Sequence, residues 1–131
     1  MVPWETKSIG PHPDVLAPDG SEVYLGLECR QGGLSVFVLP AGRVSKAVRH
    51  KTIEEVWLFI HGEGEMWRRS GEAEEICCVG PGVFLTIPTG TAFQFRALGD
   101  ESLRFVIATM PPWPGGDEAL PANGPWITTE E

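Results

Sequence analysis

Apolar and polar positions alternate along most of this chain with the short period of strands. Residues 22–29 (Val23, Tyr24, Leu25, Leu27) are rich in strand formers, and Gln31-Gly32-Gly33 turns them into a second apolar run, 34–39. That pair predicts a hairpin. Residues 44–50 form a third extended run before the bend at Lys51-Thr52-Ile53. Residues 55–60 are almost wholly apolar, too short for an ordinary helix, and stop before Gly62, which favours a buried strand. Residues 65–69 are expected to pair back on them across the turn 61–64. Further strands are expected at 75–79, 83–87, 93–96 and 103–110, with 98–101 as a hairpin turn into the last. Short strands every 8–12 residues or so, and no convincing helix, predict a sandwich or barrel.

Composition supports that reading. Gly contributes 16 residues and Pro 12, well above the usual combined share of about 12%. Both residues weaken helices. The 42% hydrophobic fraction and five Trp argue against disorder. The length of 131 residues suits one domain able to bury its own core. The expected layout is an irregular arm at 1–21, a barrel over about 22–110 and a Pro-rich tail at 111–131.

Charge narrows the partners. Ten basic against 18 acidic residues leave a net charge of −8. A surface of that sign does not suit nucleic acid, and no apolar run approaches the ~20 residues that cross a membrane. The start lacks the basic and apolar regions of a signal peptide. The three Cys are odd in number, and Cys77 and Cys78 are adjacent. A disulfide between them would have poor geometry. Free thiols and a cytoplasmic location are expected.

Two stretches resemble the cupin superfamily. Gly42, His50, Glu55 and Gly62 resemble the first cupin motif, G-x5-H-x-H-x3,4-E-x6-G. Gly82, Pro88 and Gly90 resemble the second, G-x5-P-x-G-x2-H-x3-N. The resemblance covers about residues 34–110. It implies an all-β double-stranded β-helix, a jelly-roll barrel with a pocket inside. It also implies a divalent metal held by three His and one Glu, but Val48 and Phe93 stand at two of those positions and Ala97 at the Asn position. Only His50 and Glu55 survive, too few for an ordinary zinc or iron site. The expectation is therefore no metal cofactor.

Alternation places Val48 and His50 on one strand face and Phe93 with Phe95 on another inward face. Val48, Trp57, Phe93 and Phe95 are assigned to an apolar pocket wall, with His50 and Glu55 as polar handles. A His beside a carboxylate is favoured as a cation and can act as acid or base. Lys46 shares the face of Val48 and His50, at a pocket mouth where it would meet an anionic substrate. It belongs to a basic run that also holds Arg43, Arg49 and Lys51, and that run equally suits a solvated edge.

These residues leave three readings open. One is a small-molecule binder without metal, which could be an isomerase or epimerase using His50 as base. Another is a metal-dependent dioxygenase or isomerase in which His61, His12 or water completes a site on His50 and Glu55. The last is a structural or sensing module. One of Cys77 and Cys78 should be core. Trp113 and Trp126, in the tail, must cap the pocket, seal the barrel or meet a second subunit, and a homodimer is a possible partner.

Overall fold

Eleven strands and no helix make up the protein. The computed structural model describes residues 1–131. The strands are β1 (Val15–Leu16), β2 (Glu22–Glu28), β3 (Gly33–Leu39), β4 (Val48–His50), β5 (Glu54–His61) and β6 (Glu63–Ser70). They continue with β7 (Ala73–Val79), β8 (Phe84–Ile87), β9 (Ala92–Leu98), β10 (Leu103–Met110) and β11 (Ala119–Pro121). All pairings are antiparallel and form two sheets, ordered β1-β2-β3-β10-β5-β8 and β11-β4-β9-β6-β7. This is the expected all-β jelly roll.

The inward positions of both sheets meet in one core. Leu39, Trp57, Phe59, Leu103, Phe105 and Ile107 come from the first sheet, and Val48, Met66, Phe93 and Phe95 from the second. Trp57 lies at the centre. Its ring stacks on Phe105 at 4.7 Å between centroids, and Phe93 and Phe95 meet it edge-on at 5.6 and 5.2 Å. Such offset and edge contacts add to the stabilisation from burial.

The expected hairpin forms at β2–β3, and β6 and β7 form another that the sequence reading did not include. Two expected hairpins do not form. β5 pairs with β10 and β8, while β6 pairs with β9 and β7, so the chain changes sheets at Gly62. Likewise β9 and β10 lie in different sheets, and 98–101 is a crossover. Alternation is satisfied by either arrangement; closing the barrel decides between them. Gly62 makes its crossover possible: it has φ +81, and a Cβ there would collide with the Ser102 carbonyl. The other motif glycines, Gly42, Gly82 and Gly90, also have positive φ.

The flanks are more ordered than their composition suggests. β1 in the arm pairs with β2, and β11 in the tail pairs with β4. The tail is clipped down by Arg43 on Glu130 at 2.8 Å and by Gln94, which donates to Trp126 O and accepts from Trp126 N. Between Val44 and Val48 only an isolated bridge to Arg96 remains, so the third run is a strand only at its end.

Candidate functional site

β4 and β5 bring His50 and Glu55 to one end of the barrel, where both are buried. A cavity of about 160 Å³ opens there. Its wall includes Phe37, Val48 and Ile107, and its polar groups include Asp19, His50, Glu55 and Thr109. Trp113 from the tail also lines it and meets the His50 ring edge-on at 5.5 Å. Residues 15–18 of the arm complete the wall. A void of about 150 Å³ holds a benzene-sized molecule.

Glu55 is fixed from both sides. Trp57 Nε1 donates to Oε1 at 3.0 Å, and Thr109 Oγ1 donates to Oε2 at 2.9 Å. Burial nevertheless pushes its carboxyl up to about 7, against the lowering effect of those two bonds. His50 Nδ1 lies 3.9 Å from Glu55 Oε1, too far for a hydrogen bond, and is buried with no partner. Burial pushes His50 down to about 4, although the nearby Glu118 carboxylate pulls the other way. The expected His–carboxylate ion pair therefore does not form at neutral pH. Desolvation of both groups outweighs their attraction, and His50 is uncharged there.

Glu118 comes from the tail. It accepts hydrogen bonds from Thr52 N, Thr52 Oγ1 and Ile53 N. Burial acts to raise its carboxyl, but these bonds outweigh it and hold the group below the usual range. The bend between β4 and β5 is thereby anchored to the tail, which sets the His50–Glu55 separation.

Three assigned wall residues lie elsewhere. Trp57, Phe93 and Phe95 are fully buried in the packed core and do not line the cavity. Their combined ring volume fills the barrel interior, so the space is displaced toward the mouth. Lys46 is also misplaced by alternation. Residues 45–47 are not strand, and Lys46 lines a separate, more open groove with Gln94, Asn123 and Trp126. No Lys or Arg from the run 43–51 lines the cavity, and Arg43 and Lys51 pair instead with Glu130 and Asp117.

His61 is exposed and pairs with Glu101 at 2.9 Å, and His12 is exposed in the arm. Neither reaches His50. Cys77 packs against the core, whereas Cys78 is exposed. Sequence reasoning missed Asp19, Thr109 and Glu118. Thr109 sits directly across from Glu55 in the β5–β10 register, a pairing only the fold reveals. Asp19 had a local signal, an Asp two residues before a Ser, which forms an Asx turn here.

The first-sheet and second-sheet arrangement and the motif glycines agree with a direct sequence match: the cupin domain family matches residues 35–109, more than half of the chain. The protein belongs to the cupin domain family. No curated protein matches this cupin. Among solved structures, it is similar to an uncharacterized Klebsiella pneumoniae protein with a double-stranded β-helix domain. The identity is 18%, with 82% of this chain and 89% of that one covered and a TM-score of 0.65. It also resembles the capsular polysaccharide assembling protein CapF from Staphylococcus aureus, at 18% identity, 82% and 33% coverage and a TM-score of 0.66. For Bacillus subtilis oxalate decarboxylase, described with Mn(II) centres, the figures are 15%, 84%, 29% and 0.68. This cupin spans about a third of those last two proteins, and at these identities the likeness shows the fold.

The family implies a divalent metal at this end of the barrel. Val48 and Phe93 are direct partners across β4 and β9, so two neighbouring ligand positions are apolar together. Both oxygens of Glu55 already accept protein hydrogen bonds. No group of three or more His, Cys, Asp or Glu side chains is placed to hold a metal ion. The residues present do not fit the family's metal.

Proposed function

We propose that this cupin binds a small organic molecule in the cavity at the barrel mouth, without a catalytic metal. The observation that carries the reading is a mostly apolar cavity at the barrel mouth with a buried, unpartnered His50 Nδ1 beside it. Small-molecule sites have this make-up: apolar walls and a few convergent polar groups. The family's metal-dependent enzymes are the contrasting reading, and the Val48–Phe93 pair argues against it. Three unpaired cysteines, two of them exposed, suit a reducing cytoplasm.

Elemental analysis of protein purified without added metal is expected to find no stoichiometric divalent ion. The double variant Val48→His, Phe93→His is expected to acquire one. A stoichiometric metal in the unmodified protein that is lost in His50→Ala would overturn the reading.

One geometric feature favours an enzymatic form of this proposal. At neutral pH Glu55, raised to about 7, lies near its own midpoint and can take or give a proton, and His50, lowered to about 4, stays uncharged 3.9 Å away. That arrangement suits a metal-independent isomerase or epimerase with Glu55 as base in place of the weakly basic His50. Its signature is exchange of a ligand C–H with deuterium from solvent, abolished in Glu55→Gln.

We also propose that two copies pair through the outer face of the first sheet. By register, Tyr24, Val36, Val106, Leu58 and Phe84 form one unbroken cross-strand row on that face. Leu27, Leu34, Ala108 and Val56 form a second row beside it. Leu34 and Phe84 are 54% and 68% exposed. Contiguous apolar surface of this kind marks an interface. The partner is a second copy, because the charges are self-complementary. Arg104 ends the face at one side and Glu54 at the other, and a two-fold axis running across the strands brings each against the other copy's opposite. Sedimentation at micromolar concentration should show a dimer for the unmodified protein and a folded monomer for Val106→Asp. A monomeric unmodified protein would exclude this pairing.

A further inference from the structure

Three acids line the cavity, Asp19, Glu28 and Glu55, and its neutral polar side chains are His50, Ser35 and Thr109. Asp19 is 7% exposed and lines the cavity. Its Oδ1 accepts both Ser21 N at 2.9 Å and Ser21 Oγ at 2.6 Å, while Oδ2 has no hydrogen-bond partner. Glu28 lies at the exposed rim of the same cavity. Neither acid pairs with a cation; the ion pairs of this chain all use other acids. No Lys or Arg lines the cavity. The protein has no helix, so no helix N-terminus can supply backbone N–H groups to an anion. Phe37 and Trp113 add aromatic surface, which attracts cations as well as apolar groups. The net charge of −8 reinforces the sign of the site.

We propose that the cavity takes a small, largely apolar organic amine, its ammonium received by Asp19 with Glu28 at the rim, and turns away carboxylates and phosphates. The inference rests on the reading of the cavity as a ligand site and names the class of ligand. Burial pushes the Asp19 carboxyl above its usual range, against the lowering effect of its two Ser21 bonds, so an ammonium at the unpartnered Oδ2 supplies the counter-charge that the ionised carboxylate lacks. A charge-assisted N–H···O bond inside a site of low water content is stronger than a neutral one. A carboxylate in the same position would find no cation to compensate it, would face Glu28 at the rim and would disfavour ionisation of the buried Asp19 further.

Calorimetric titration at about pH 8 with benzylamine, benzyl alcohol and benzoate tests this on one ring frame. Benzylamine is expected to bind at least about tenfold tighter than benzyl alcohol, and benzoate not to bind. Asp19→Asn keeps the Oδ1 acceptor that Ser21 needs, so the turn should persist. In that variant the preference for benzylamine over benzyl alcohol should disappear while benzyl alcohol binds as before. Glu28→Gln, at an exposed position, should weaken benzylamine alone and by less. Benzoate binding as tightly as benzylamine, or an unchanged preference in Asp19→Asn, would overturn the ligand class and leave the small-molecule reading standing. Binding of none of the three would overturn both.

Discussion

Glu55→Gln is expected to lose about 3 kcal/mol of stability as the pH falls from 6.5 toward 4, a slope that the unmodified protein largely hides. The reason is a pair of opposed titrations. His50 is lowered from 6.5 to about 4 on folding, because burial disfavours the cation. Its contribution is present above 6.5 and is lost as the pH drops through about 4, where the buried ring must take up a proton. Glu55 is raised from 4.5 to about 7, again because burial disfavours the charge. Its contribution is full below 4.5 and is lost as the pH climbs through about 7. Between 4.5 and 6.5 one contribution grows while the other shrinks, so the two nearly cancel.

Removing either group exposes the other. His50→Asn should therefore show the reverse behaviour, gaining about 3 kcal/mol on acidification from 7 to 4.5. Asp19 and Glu118 also lie near this pair and titrate. They remain in all three proteins, so the comparison between variants removes most of their effect. Denaturant unfolding at a series of pH values reads the slopes directly. If both variants follow the unmodified profile, the two groups are not the desolvated neutral pair described above.

Trp57→Ala is expected to be the most destabilising single substitution in the barrel, by about 3–5 kcal/mol. Trp57 is fully buried and touches Phe59, Phe93, Phe95 and Phe105. Deleting it leaves a cavity that rigid strands on both sides cannot close. It also removes the N–H that Glu55 Oε1 accepts. A loss of this size is a large part of the roughly 5–15 kcal/mol that holds an ordinary domain together. Trp57→Phe separates the two effects. It keeps most of the ring packing but deletes the donor, so it should cost much less stability while raising the Glu55 carboxyl further. Midpoints of urea unfolding for the two variants give the comparison. Equal losses would mean that the hydrogen bond, and not the packing, is the main contribution of Trp57.

The two predictions rest on residues that the sequence made visible to different degrees. Trp57, Phe93 and Phe95 were legible as inward-facing, since alternation within a strand is a local property of the backbone. Their place in the core instead of on the cavity wall was not legible. Whether an inward aromatic lines a void or fills it depends on how many large rings converge from strands distant in sequence. Here β5, β9 and β10 all deliver one or more to the same point. His50 and Glu55 were legible as neighbours through the motif spacing. Their charge state was not, because proximity favours ionisation and burial opposes it, and only burial in the folded chain says which is larger. Lys46 shows the limit of alternation itself. The rule applies within a strand, and residues 45–47 are not one.

Taken by itself, the sequence determined that the chain is all-β, where most of its strands lie, and which glycines turn it. These are consequences of period-two patterning and of residues that tolerate positive φ, both of which act over a few neighbouring positions. Only the tertiary structure decided which strands pair, since one apolar face can be buried against more than one partner. Only it placed Asp19, Thr109, Trp113 and Glu118 around His50 and Glu55. Those residues come from the arm, the last long strand and the tail, and they meet because the barrel closes and the two ends of the chain fold over its mouth.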